Sequence, residues 1–195
     1  MSPRLDRQLD FLVEADKLKS ILRASTLADD SRRENSGEHS WHVALSALVL
    51  ADQAGPEVRI DRVIRMLLIH DLVEIDAGDT PIHDTHDTAA QDAAEAEAAD
   101  RLFGLLPDDM AADLRALWDE FEAAQSPDAI FAKSIDRVQP VLLNLANGGG
   151  SWRQFNVTEQ QLETRVGQKV ARGAPAVWAH LQGHIQRHFN PDDRD

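Results

Sequence analysis

Apolar residues recur at intervals of three and four from one end of this chain to the other, and no two-residue alternation competes with them. A chain patterned this way buries stripes rather than pleated faces, so it must pack as helices against helices. Leu9, Leu12, Val13, Leu18, Ile21 and Leu22 mark a first helix ending near Ser25. Ser36 is placed to cap a second, running to about Ala54 before Gly55 and Pro56. Ile60, Val63, Ile64, Leu67, Leu68 and Leu72 give residues 59–73 a broad apolar face, and Gly78 and Pro81 then mark a loop. An Ala- and acid-rich helix follows over about residues 88–105, and a Pro107-led one runs to Ala123. Ser126-Pro127 opens a long helix to Asn147, where Gly148-Gly149-Gly150 stops it. Thr158 and Gln161 fit a capping box for a short helix, and Pro175 opens a last one to Phe189. The predicted fold is all-α.

The 195 residues suit one domain, with a core over about residues 8–150 and helices over about 158–189 packed on it. The formal charge of -14 repels nucleic-acid polymers and anionic membranes. A small phosphate ester stays possible, because one divalent cation and a few local bases can reverse the field inside a pocket. With no cysteine in the chain, any metal must be held by His and carboxylates. No apolar run is long enough to span a bilayer, and the charged N-terminus lacks a signal-peptide core, so the expected location is the cytoplasm.

His39, His70, Asp71 and Asp136 fall on or beside three helices that a bundle can bring together. Imidazole nitrogens and carboxylate oxygens suit a first-row divalent ion, and four protein ligands leave positions open for water or a phosphate oxygen. Glu74, four residues after His70, shares its face if the helix continues and is the first choice as general acid or base. Asp79 follows in the loop at the mouth of such a site. Lys133 and Arg137 flank Asp136, and for each a phosphate contact and a surface salt bridge are both open.

The segments ENSGEHSWHVAL, LLIHDLVEIDAGDT and FAKSIDRVQP, over roughly residues 8–150, resemble the HD phosphohydrolase superfamily, and within it the branch of bacterial 5'-deoxynucleotidases. The resemblance implies an HD-type helical bundle in which His39, His70, Asp71 and Asp136 bind one divalent ion: Mn, Co, Ni, Zn, Fe or Mg. It implies that Glu74 and Asp79 activate water and assist release of phosphate from a (deoxy)nucleoside 5'-monophosphate, and it suggests a homodimer. Where the branch carries Arg-Trp, with Arg on the phosphate and Trp crowding the sugar, this chain reads Arg23-Ala24. Arg23 is the matching phosphate ligand, and the aromatic is missing. The alternatives are a hydrolase of other phosphoesters or nucleoside polyphosphates, and a sensor that binds nucleotide or metal without turnover.

Other motifs read more plainly. The His83-Asp84-Thr85-His86-Asp87 run is a polar loop with no apolar frame, solvated or lid-like rather than a second metal site. His180, His184 and His188 recur every fourth residue, as befits a helix C-terminus that favours cations. Gly148 to Trp152, with Arg153, reads as a helix-ending turn more readily than a lid, and Trp41, Trp118 and Trp178 as packing residues.

Overall fold

A computed structural model of the chain describes residues 2–83 and 87–191. Helices dominate it, as the periodicity requires, in the order α1 Pro3–Ala15, α2 Ser36–Val49, α3 Ile60–Ile69, α4 Glu74–Ala77, α5 Thr88–Phe103, α6 Asp108–Ala123 and α7 Pro127–Ala146. Then come α8 Gly150–Gln154, α9 Glu159–Leu162, α10 Gln168–Gly173 and α11 Pro175–Phe189. Among the described residues no helix is long and apolar enough to cross a membrane.

The start of the chain departs from the sequence reading. The first helix ends at Ala15, a 3-10 turn covers Asp16–Ser20, and Leu22–Thr26 is a strand, β1, paired antiparallel with β2, Arg33–Asn35. So residues 21–25 do not continue the helix. Ser25 is buried while Leu22 is exposed, a burial pattern that a five-residue strand produces and that helical spacing cannot distinguish over so short a run. Arg23 therefore projects from a hairpin rather than from a helix end.

The second helix is capped by Asn35, one residue earlier than expected. The Asn35 side chain accepts from the Glu38 amide at 2.9 Å, and the Glu38 carboxylate accepts from the Asn35 amide at 3.1 Å. The cap fixes the first turn of α2 and with it His39. The third helix also ends early: His70–Val73 is a 3-10 turn before α4. This tightening swings Asp71 and Glu74 relative to His70 compared with a straight helix.

Helices α2, α3, α6 and α7 enclose one apolar cluster around Val43, Met66, Phe121, Phe131 and Ile135, to which the C-terminal helices add Val170, Trp178 and Ile185. A second cluster gathers Phe11, Leu102, Phe103 and Trp118 beneath α5. The turn carrying His70 and Asp71 lies between them, anchored by Leu72 and Val73 in the second cluster and by the Trp118 indole N–H donating to the His70 carbonyl at 3.2 Å. Core packing on both sides holds the turn rigid. Gly148 and Gly149 adopt positive φ and stop α7 in a helix-ending turn, and the short α8 that follows buries Trp152 against Phe189. Trp118 and Trp178 pack in the core, whereas Trp41 is 62% exposed with its ring stacked on His42.

Candidate active site

Three segments deliver side chains to one point. His39 comes from the capped first turn of α2, His70 and Asp71 from the 3-10 turn, and Asp136 from the middle of α7. Pro140 lies one turn after Asp136 and has no amide to bond its carbonyl, which loosens α7 locally at this position. His39 Nε2 lies 2.9 Å from Asp136 Oδ1 and 3.9 Å from Asp71 Oδ2. His70 Nε2 lies 3.0 Å from Asp71 Oδ1 and 3.6 Å from Asp136 Oδ1. One ligand atom from each of His39, His70 and Asp136 falls within 4.8 Å of the others.

Both imidazoles are oriented from behind. His70 Nδ1 donates to the Leu67 carbonyl at 2.9 Å, and His39 Nδ1 donates to Gln139 Oε1 at 3.1 Å. Each ring therefore turns Nε2 toward the carboxylates, and His70 Nε2 is buried with no hydrogen-bond partner among the described residues. Two nitrogen lone pairs and carboxylate oxygens facing one another repel unless positive charge sits between them, and a divalent cation meets that demand. In its absence a proton does so: burial opposes charging of His70, but Asp71 and Asp136 outweigh it and push its pKa up to about 10. Burial and Arg23 likewise oppose charging of His39, and Asp136 and Glu34 raise it nonetheless. The residues present fit a metal.

Gln139 and Glu34 were not singled out by sequence. Gln139 is fully buried and donates through Nε2 to Glu34 Oε1 at 2.6 Å, with His42 Nδ1 at 3.0 Å. This places His42 behind His39 as part of the same network. The signal for Gln139 was its position three residues after Asp136, on the same helix face; Glu34 had none, because its strand was not foreseen.

Around this point lies a cleft of about 240 Å³. Arg23, Glu74, Asp79 and Lys133 all line it. The Arg23 guanidinium stands 2.7 Å from Asp71, 3.4 Å from Glu74, 3.5 Å from Asp79 and 4.0 Å from Glu34, so it holds the acids together rather than projecting free into the cleft. Burial and the Asp71 charge, against Arg23, push the Glu74 pKa up to about 9. Burial raises Asp79 as well, with Arg23 opposing. Gly78, at φ 77°, makes the turn that sends Asp79 back to the cleft. Lys133 pairs with both Glu122 oxygens at 2.9 Å and sits 4.1 Å over the Phe121 ring, so it makes a salt bridge while lining the cleft. His83 lines the cleft too; Asp84, Thr85 and His86 lie outside the described residues. On α11 the His180 and His184 rings are 5.1 Å apart and His188 packs on Trp152 instead of joining them.

A helical bundle presenting two imidazoles and paired carboxylates in this way is the HD arrangement, and the HD domain family model matches residues 15–178. The chain belongs to the HD domain family. It is 30% identical over 135 residues to the human (Homo sapiens) 5'-deoxynucleotidase HDDC2, an alignment covering 69% of this chain but only 65% of the human protein's length. It is 27% identical over 161 residues to the 5'-deoxynucleotidase plu3092 of Photorhabdus laumondii, covering 78% of this chain and 81% of that one. Among solved structures, a predicted metal-dependent phosphohydrolase from Magnetospirillum magnetotacticum MS-1 superposes with a TM-score of 0.92 at 46% identity over 98% of each chain.

Proposed function

We propose that this protein is a metal-dependent phosphohydrolase that releases phosphate from (deoxy)nucleoside 5'-monophosphates. The observation that carries the reading is the convergence of His39, His70, Asp71 and Asp136 on one buried point, with Glu74 and Asp79 in the same cleft. The names of the similar proteins favour the nucleotide as substrate. A divalent ion bound by those four residues supplies positive charge against which a phosphoryl oxygen and an attacking water are oriented. Glu74 holds a proton whose release depends on the charge around it, the property that general acid–base work requires. Asp79, across Arg23 from Glu74, shares that role. Arg23, beside Asp71, and Lys133 would steady the phosphoryl group. Ala24 and Ser25, which line the cleft beside Arg23, leave room around the sugar.

The test is a phosphate-release screen over nucleotides with Mn, Co, Ni, Zn, Fe and Mg. Asp71→Ala and His70→Ala are expected to lose metal and turnover together. Glu74→Gln is expected to keep the metal and lose roughly 10²–10⁴ in kcat. Tight nucleotide binding without turnover under any metal would instead support a sensor. The reading places the protein in the cytoplasm, where nucleoside monophosphates are made and consumed. It also includes a homodimer, supported by an exposed apolar stripe of Trp41, Leu45, Leu48 and Val49 on α2 with Leu68 on α3; light scattering checks it.

A further inference from the structure

The loop that carries Asp79 has to hold its shape along the cleft without regular structure. Between Ala77 and Thr88 the described residues form neither helix nor strand, yet Asp79, Thr80, Pro81, Ile82 and His83 all line the cleft. A wall of this kind keeps its place where groups from other elements bond its backbone. Gly78 turns the chain at the near end. At the far end Arg165 Nη1 donates to the Ile82 carbonyl at 3.4 Å and to the His83 carbonyl at 3.1 Å. Because the guanidinium is charged, it holds these carbonyls more firmly than a neutral donor would.

Arg165 reaches them from a rigid base. It stands in a π turn, Glu163–Gly167, that joins α9 to α10. Such a turn holds one residue more than an α-helical one and so redirects the side chains it carries. Leu162 and Val166, flanking it, are buried in the main core cluster and line the same cleft. The Trp178 indole N–H donates to Glu163 Oε2 at 3.2 Å, and a Cβ at Gly167 would collide with the Trp178 ring. The turn is therefore seated on Trp178 at both of its ends.

Ile82 follows Asp79 by three residues, so at most about 11 Å of chain joins them. Pro81 has its φ fixed by its ring, and Thr80 before it is biased toward extended backbone. Few dihedral angles are left to absorb a shift at Ile82, and the place of its carbonyl sets the place of Asp79. Asp79 in turn stands 3.5 Å from Arg23 and shares the cleft with Glu74.

We propose that Arg165 is a positioning residue for the hydrolysis: by holding the Ile82 and His83 carbonyls it sets, through Pro81, where the Asp79 carboxylate stands. It acts through Asp79 and not on the substrate itself. This rests on the phosphohydrolase reading and on the role given there to Asp79.

The test compares the metal-loaded protein with Arg165→Met, which keeps an apolar stem and removes every donor, and with Arg165→Lys, which keeps one charged donor group. Misplacing a reacting group by an ångström costs roughly 10²-fold. Arg165→Met is therefore expected to lower kcat on a nucleoside 5'-monophosphate about 10–100-fold, with KM and metal affinity within about threefold of the parent, and Arg165→Lys to recover part of that loss. In an Asp79→Asn background Arg165→Met is expected to cost less than about twofold, because both changes act through one carboxylate. A loss there as large as in the parent would overturn the proposal, as would an unchanged kcat in Arg165→Met. Arg165→Lys carries the same comparison if Arg165→Met does not fold. Amide exchange over residues 78–83 is read separately and needs no turnover. Faster exchange in the variant, with the segments around His39 and Asp136 unchanged, upholds the anchor even if no phosphoester is hydrolysed and the phosphohydrolase reading fails. Unchanged exchange refutes it whatever the activity.

Discussion

Replacing Gln139 by Leu tests whether the buried network behind His39 matters for both folding and metal binding. The side chain is nearly isosteric, so little volume changes, but three polar contacts vanish: the acceptor for His39 Nδ1, the 2.6 Å donor to Glu34, and the contact with His42. A hydrogen bond to a charged group contributes about 1.5–3 kcal/mol and a neutral one about 1 kcal/mol. Glu34, only 2% exposed, also keeps a carboxylate without its donor. The expected loss is about 3–5 kcal/mol, in line with breaking a buried charged pair from one side. Urea unfolding in chelator measures it as a lower midpoint at unchanged slope. His39, freed behind, no longer presents Nε2 in one orientation, and metal affinity is expected to fall about 10–100-fold. Gln139→Glu separates the effects: it restores an acceptor for His39 while setting a second carboxylate against Glu34, so it recovers metal affinity better than stability. A Leu variant within about 1 kcal/mol of the parent and unchanged in metal affinity would refute the reasoning.

Two further outcomes follow from the same geometry. Because the His70 pKa is raised from 6.5 to about 10, metal binding between pH 7 and 9 must displace about one proton, so apparent affinity rises about tenfold per pH unit. Calorimetry in buffers of different ionisation enthalpy counts that proton; affinity flat across the interval would count against it. Without metal, the same proton stabilises the fold fully below pH 6.5, and its contribution is lost as pH rises through about 10. Separately, a Cβ at Gly173 would lie 2.5 Å from Ser134 Oγ and 2.7 Å from the Ile130 carbonyl, so Gly173→Ala is expected to pry α10 from α7 and cost about 1–3 kcal/mol in thermal or urea unfolding.

Periodicity and punctuation by themselves determined the long helices. The extents of α5, α6, α7 and α11 follow from apolar spacing bounded by Pro107, Ser126-Pro127, the Gly148 run and Pro175, because these act through local backbone chemistry. Motif order likewise drew attention to His39, His70, Asp71 and Asp136 before any coordinates. Short elements stayed hidden: the hairpin at Leu22–Thr26 and the tightened turn at His70–Val73 depend on what packs around them, since four or five residues carry too little pattern to choose between states. Only the tertiary structure decided which atoms meet. It brought Gln139 and Glu34 behind His39 across about a hundred residues of chain and turned Arg23 onto four carboxylates. Those contacts arise from packing between elements far apart in sequence, where local spacing carries no information.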